Sequence, residues 1–326
     1  MSTFFAVLHN NYKRTLPRIG GIVVITFISL ASIVLAIYVT NHEKTFANIA
    51  VIGQVEENRF AATGHILNIS FLSAEPPLSD LYEQKYDAYV TPLSSGDYKI
   101  KSLKSEAYKN TLLALLMNPE TEVPSIYKGR STGESIIGFM MMFLLMISFS
   151  NMFAFADDKE QGQMKRVFTT PASFAGYILA HIIYSISMFL PQFLLLVVLN
   201  LLEVSIGFSI PVYLGLIILI GILGSSFAFF LNTLIKKPDN ANMLGNAITV
   251  LSSILAGTFY SFHKENKFID SLIGLIPQKQ IMDITAALGR KDIQVLDSLF
   301  YVIAFSLVLF LISCMILNST QKRSCS

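Results

Sequence analysis

Asp157-Asp158-Lys159-Glu160 closes a charge-free run over 135–156 and opens a short polar segment, Gln161-Gly162-Gln163-Met164-Lys165-Arg166-Val167-Phe168-Thr169-Thr170-Pro171-Ala172. Acids lead and bases follow, so the pattern predicts a helix over 157–168 whose charges complement its macrodipole. Thr170-Pro171 stops it before the next apolar run, because the residue before proline is driven out of helical geometry. The chemistry on offer is docking: a charged helix at the rim of an apolar segment can be gripped and pushed by another protein. A mere solvated connector explains the charges but not the apolar Met164, Val167 and Phe168 at its far end.

Catalytic chemistry is sparse elsewhere. Asn151 and His181 are the most polar groups deep in their apolar runs, and no Asp or Glu lies beside them there. A lone histidine in such a setting more often bonds a neighbouring helix than transfers protons. There is no H-E-x-x-H, no G-x-S-x-G and no buried acid pair. Gly129-Arg130-Ser131-Thr132-Gly133-Glu134 lacks both the spacing and the lysine of a phosphate-binding loop, so this chain binds no ATP of its own. Cys314 and Cys325 form neither a disulfide framework nor a zinc site. No cofactor or metal is expected. Asn151, His181 and the Gly257-Thr258 turn are the candidates for lining a substrate pathway.

What positions these residues is membrane. The 326 residues are 53% apolar and 14% charged, a composition far from that of soluble domains. Charge-free runs cover 19–42, 135–156, 167–202, 204–235, 240–263 and 298–321, each longer than the ~20 residues that cross a ~30 Å hydrocarbon core. An all-α, polytopic protein of six spans is predicted. Loops on one side (1–18, 157–172, 234–239, 318–326) hold 10 of the 24 basic residues in about 49 positions, and the other set (41–133, 200–209, 263–297) holds 14 in about 138. Both termini and 157–172 are therefore placed in the cytoplasm. A net charge of +2 offers no footprint for nucleic acid.

Residues 1–18 place Phe4, Phe5, Leu8 and Tyr12 at helical spacing, which reads as an amphipathic interfacial helix before span one at 19–40. Segment 41–133 reads as a small extracellular α/β domain, with strands near 49–52, 65–69, 87–90 and 97–100 and helices at 78–85 and 103–117. Its Tyr86, Tyr89 and Tyr98 offer amphipathic surface for recognition, or else fill the domain core. Residues 134–326 form a five-span core. Within it, 266–289 mixes apolar positions with Asp270, Lys279 and Asp283 and is broken at Pro277, so it reads as a re-entrant helical element.

The polar segment resembles a motif of the permease subunits of type-2 ATP-binding-cassette exporters: Glu160-x-Gly162, then Lys165-Arg166, then Thr170-Pro171-Ala172-Ser173. Ser252 to Tyr260 and Ile276-Pro277 are similar to later elements of that family, and the outer domain is like that of a long-loop subgroup. The resemblance implies a coupling helix in which Asp158, Glu160, Gly162, Lys165, Arg166 and Pro171 meet a cytoplasmic ATPase, with 1–18 as a connecting helix. It also implies two ATPase copies holding ATP and Mg, a second permease, identical or homologous, and a bacterial plasma-membrane location. The absence of Trp and the abundance of Ile, Phe, Lys and Asn point the same way. Export of an amphipathic substrate (drug, antimicrobial peptide or lipid-linked molecule) follows, the alternative being a membrane sensor or immunity protein whose outer domain captures a peptide.

The topology is directly testable. In a cysteine-free background, Ser95→Cys and Ser271→Cys react with an impermeant maleimide added to intact cells, and Gln163→Cys does not. Outside labelling at Gln163 inverts the orientation.

Overall fold

The computed structural model describes residues 3–42, 47–53, 67–82, 85–93, 98–104, 106–118, 130–164, 173–259, 267–290 and 295–325. The chain divides into two compact units, one of 1–37 with 131–326 and one of 38–130.

The smaller unit holds strands β1 (Ala47–Ile52), β2 (Leu67–Leu72), β3 (Ala88–Pro92) and β4 (Tyr98–Lys101), in the order β2-β1-β3-β4. β1 runs parallel to both β2 and β3, and β4 closes the edge antiparallel to β3. Successive strand residues face opposite sides. Ala47, Ile49, Val51, Ala88 and Val90 therefore pack with Tyr108, Leu112 and Leu116 of the helix Glu106–Met117, whereas Ala50 and Tyr89 pack with Leu81 of the single turn Ser79–Tyr82. These helices are α4 and α3 respectively.

In the larger unit, α1 (Thr3–Thr15) is followed by a 3-10 turn and α2 (Ile19–His42). After the smaller unit come α5 (Thr132–Glu160), α6 (Phe174–Ser187), α7 (Leu190–Leu201), α8 (Ile210–Leu234), α9 (Pro238–Leu255), α10 (Lys267–Gly274), α11 (Pro277–Arg290) and α12 (Val295–Cys325). Among the described residues five stretches are long and apolar enough to cross a membrane: α2, α5, α6 with α7, α8 and α12. The sixth expected run, 240–263, becomes the 18-residue α9, whose first turns carry Asp239, Asn240, Asn242 and Asn246 and fall short of that apolarity. The third run is interrupted at Met188-Phe189, because Pro191 withholds an N–H and its ring crowds the carbonyl four residues back.

α5 and α8 are the interior helices: 67% of each apolar window is buried, against 28% for α2 and for α6 with α7, and 22% for α12. Ser131 caps α5, its Oγ accepting from Glu134 N at 3.2 Å and donating to Glu134 Oε1 at 3.1 Å. Small residues let the backbones close in around it. A Cβ on Gly224 of α8 would strike Ser148, one on Gly245 of α9 would strike the Phe149 ring, and one on Gly138 would overlap the Thr258 carbonyl oxygen. α8 thus runs beside α5 in the same direction and α9 in the opposite one.

Two glycines can be ranked from these contacts. Gly138→Ala drives a methyl into a carbonyl that cannot rotate away and costs about 1–3 kcal/mol. Gly215→Ala, in α8 with nothing within 4 Å of a new Cβ, is neutral or gains about 0.4–1 kcal/mol. Heating detergent-solubilised protein and measuring the monodisperse fraction should show a lowered midpoint for the first alone.

Candidate functional site

The expected helix over 157–168 does not begin at Asp157, which corrects the sequence reading at that end; Gln163 and Met164 are again helical, and 165–168 lie outside the described residues. Asp157, Asp158, Lys159 and Glu160 form the last turn of α5, Gln161 is its C-cap, and Gly162 adopts φ +69, the left-handed region that ends helices. The acids lie at the negative end of a 29-residue helix rather than the positive end of a short one. Left alone, two carboxylates there would repel the last carbonyls of α5.

Arg14 of α1 resolves that conflict. Its Nη1 donates to Asp158 Oδ1 at 2.5 Å and its Nη2 to Asp157 Oδ2 at 2.9 Å. The other Asp158 oxygen accepts from the Tyr177 hydroxyl of α6 at 2.7 Å, and Asp157 Oδ1 accepts from Gln161 Nε2 at 2.9 Å. Burial disfavours the guanidinium's charge, yet the two aspartates outweigh it and raise the Arg14 pKa above its ordinary value. One arginine thereby ties α1 to α5, and Asp158 ties both to α6.

α1 lies along α6. Asn11, 1% exposed, donates from Nδ2 to His181 Nδ1 at 3.0 Å, and the His181 ring sits edge-on to Tyr177 and Phe155. Further along, Tyr12 OH meets Ser187 Oγ at 2.5 Å, and Thr15 shares a hydrogen bond with the Tyr184 hydroxyl. Phe5 and Tyr12 are exposed, and Asn11 is inside. In a membrane the polar edge gains most by finding protein partners, while aromatic rings are content against lipid.

Lys159 turns the other way. Its Nζ donates to the carbonyls of Asn232 at 2.8 Å, Thr233 at 2.5 Å and Ile235 at 3.2 Å, at the end of α8. Of the four consecutive charged residues only Glu160 is exposed. A polar cleft of about 430 Å³ beside it is lined by Asn10, Asn11, Arg14, Asp157, Asp158 and Gln161, among others. Lys165, Arg166 and Pro171 lie outside the described residues, and Ser173 beyond them caps α6 through Gly176 N at 3.2 Å.

The other candidates are scattered. Asn151 is buried in α5 with neither end of its amide paired among the described residues, and His181 is committed to α1. Gly257, at φ +72, ends α9 in the left-handed conformation, and the buried Thr258 presents its carbonyl to Gly138. Tyr89, 1% exposed, belongs to its domain core and donates from its hydroxyl to Pro77 O at 2.8 Å. Tyr86 and Tyr98 are half-buried. Among the described residues no group of His, Cys, Asp or Glu could hold a metal.

A family model described as ABC-2 family transporter protein matches residues 98–315, two-thirds of the chain and everything from β4 to most of α12. The chain belongs to the ABC-2 transporter family. It is a permease subunit of an ABC-2 type transporter, a multi-pass membrane component whose family associates with a separate cytoplasmic ATPase. No curated protein matches it. The ABC-2 match takes in Asp157 to Glu160, Tyr177 and the α8 carbonyls but not α1, so the Arg14 side of the junction lies outside it. Sequence reasoning found the charged residues of this permease but missed Arg14, Asn11 and Tyr177 as their partners. The available signal was a polar Asn11-Arg14 pair, three residues apart on one helical face.

Removing Arg14 should expose the conflict it resolves. Arg14→Ala forfeits two charge-assisted hydrogen bonds, each about 1.5–3 kcal/mol at most, and partial exposure reduces the loss to about 1–3 kcal/mol in all. Adding Asp157→Asn and Asp158→Asn should restore part of it. Thermal midpoints and trypsin cleavage within α1 measure both steps.

Proposed function

We propose that this ABC-2 permease is half of the membrane part of an exporter, with α9 as a sixth span, both termini cytoplasmic, and the junction at the end of α5 facing the ATPase. Two ATPase copies would bind ATP and Mg, and a second permease, identical or homologous, would complete the pathway. The observation that carries the reading is the division of labour within Asp157-Asp158-Lys159-Glu160. Three of these side chains are spent inside the protein and Glu160 points out, which suits a surface that is rigid behind and charged in front.

Closure of the ATPases on ATP would press on the 161–172 loop and, through it, on α5. α5 touches α6, α8, α9 and α11, so a displacement at its end reaches most of the bundle and can reorient it between two packed arrangements. An amphipathic substrate, such as a drug, antimicrobial peptide or lipid-linked molecule, fits spans that present apolar walls with few fixed charges. The buried Asn151 amide, unpaired among the described residues, is the polar group best suited to meet it. In the outer domain, Tyr86 and Tyr98 keep accessible surface for recognition, whereas Tyr89 does not.

Coupling is tested by Glu160→Ala combined with Arg166→Ala. The double variant should insert and assemble normally in the reconstituted complex, yet lose the rise in ATP hydrolysis caused by a cationic amphipathic peptide in the wild type. Undiminished stimulation removes the coupling role from this loop.

A further inference from the structure

We propose that Lys159 is the positioning residue through which movement of the 161–172 loop reaches α8. The inference rests on the coupling role assigned to that loop above. A lysine ammonium has three N–H donors, and Lys159 aims at three carbonyls, all at the end of one helix. Those carbonyls are the ones a helix leaves without an internal partner, where its dipole concentrates negative charge.

The chain carries two cations nearer to hand, Lys236 and Lys237, which follow α8 directly, yet both are exposed. The cap is instead supplied from a helix 73 residues away. The neighbouring polar side chains leave the position open for it: Asn232 Nδ2 and Thr233 Oγ1 turn back to Ala228 O and Phe229 O, each at 2.8 Å. Asp158 on one side of Lys159 is fixed to Arg14 and Tyr177, and Glu160 on the other is exposed. A pull on Glu160 therefore either breaks three hydrogen bonds at once or carries the end of α8 with it. Apolar packing between α5 and α8 permits sliding; a three-donor cap resists displacement in every direction.

The experiment uses the full permease with its copurified ATPase in lipid nanodiscs, without native cysteines. Spin labels are paired between Gln163→Cys and Ser319→Cys, and between Lys237→Cys and Ser319→Cys. Distances are measured without nucleotide and after trapping with MgATP and vanadate. In otherwise wild-type protein both distances should change. With Lys159→Met the Gln163 distance should still change while the Lys237 change falls to less than half, and Lys159→Arg should restore it. If Lys159→Met does not assemble, Lys159→Gln, which keeps two donors and no charge, should give the same split. A merely stabilising lysine would lower the thermal midpoint and leave the Lys237 change intact, and an intact change in either neutral variant overturns the inference alone. No change at Gln163 in the wild type overturns the coupling reading and the inference with it.

Discussion

Two aspartates at the carboxyl end of a long helix are electrostatically misplaced, and the structure depends on their being answered by Arg14. Without that guanidinium the last turn of α5 would carry negative charge against its own negative pole. With it, the turn becomes the place where α1, α5 and α6 are fastened together by Asp157, Asp158 and Tyr177. The neighbouring Lys159 fastens α8 at the same level. Four helices thus meet through charge-assisted hydrogen bonds within one turn, where elsewhere α1 and α6 share neutral hydrogen bonds and α5, α8 and α9 meet through glycine, serine and aromatic contacts.

Those apolar contacts set how closely the helices approach but bind them less specifically. Ser148 against Gly224 and Phe149 against Gly245 bring α8 and α9 to α5 on two sides, and Phe155 continues the seam to Phe229 and His181. In lipid, a leucine gains little by leaving one apolar neighbour for another, so close backbone approach and polar partners decide which helices stay together. The polar junction can hold its helices in register, while the remainder of the bundle keeps the freedom to repack.

The spans are legible because charge-free runs and helix length are one-dimensional properties, and α2, α5, α8 and α12 follow them closely. The interruption at Pro191 is equally present in the sequence, as a proline inside an apolar run, but no flanking charge marks it as a break. The four strands are legible from alternation and turn residues. The departure at Asp157 to Glu160 has a different origin. A dipole argument applied to neighbouring charges alone favours starting a helix at Asp157, and the residue that tips the balance the other way lies 143 positions earlier. Tyr89 shows the same limit, since its type suits a surface or a core equally and only the sheet register sends it inward.

The connection of α1 to residues some 145 to 170 positions later also constrains how the protein is made. At ribosomal speeds of about 5–20 residues per second, α1 leaves synthesis on the order of ten to thirty seconds before α6 exists to receive it. During that interval Asn11 and Arg14 have no protein partners and must stay hydrated, which a helix can achieve by lying at the water boundary and cannot achieve inside the bilayer. The exposed Phe5 and Tyr12 are suited to hold it there. Held there, the first helix would dock only once α6 has been made, although it precedes both the smaller unit and α5 in the chain.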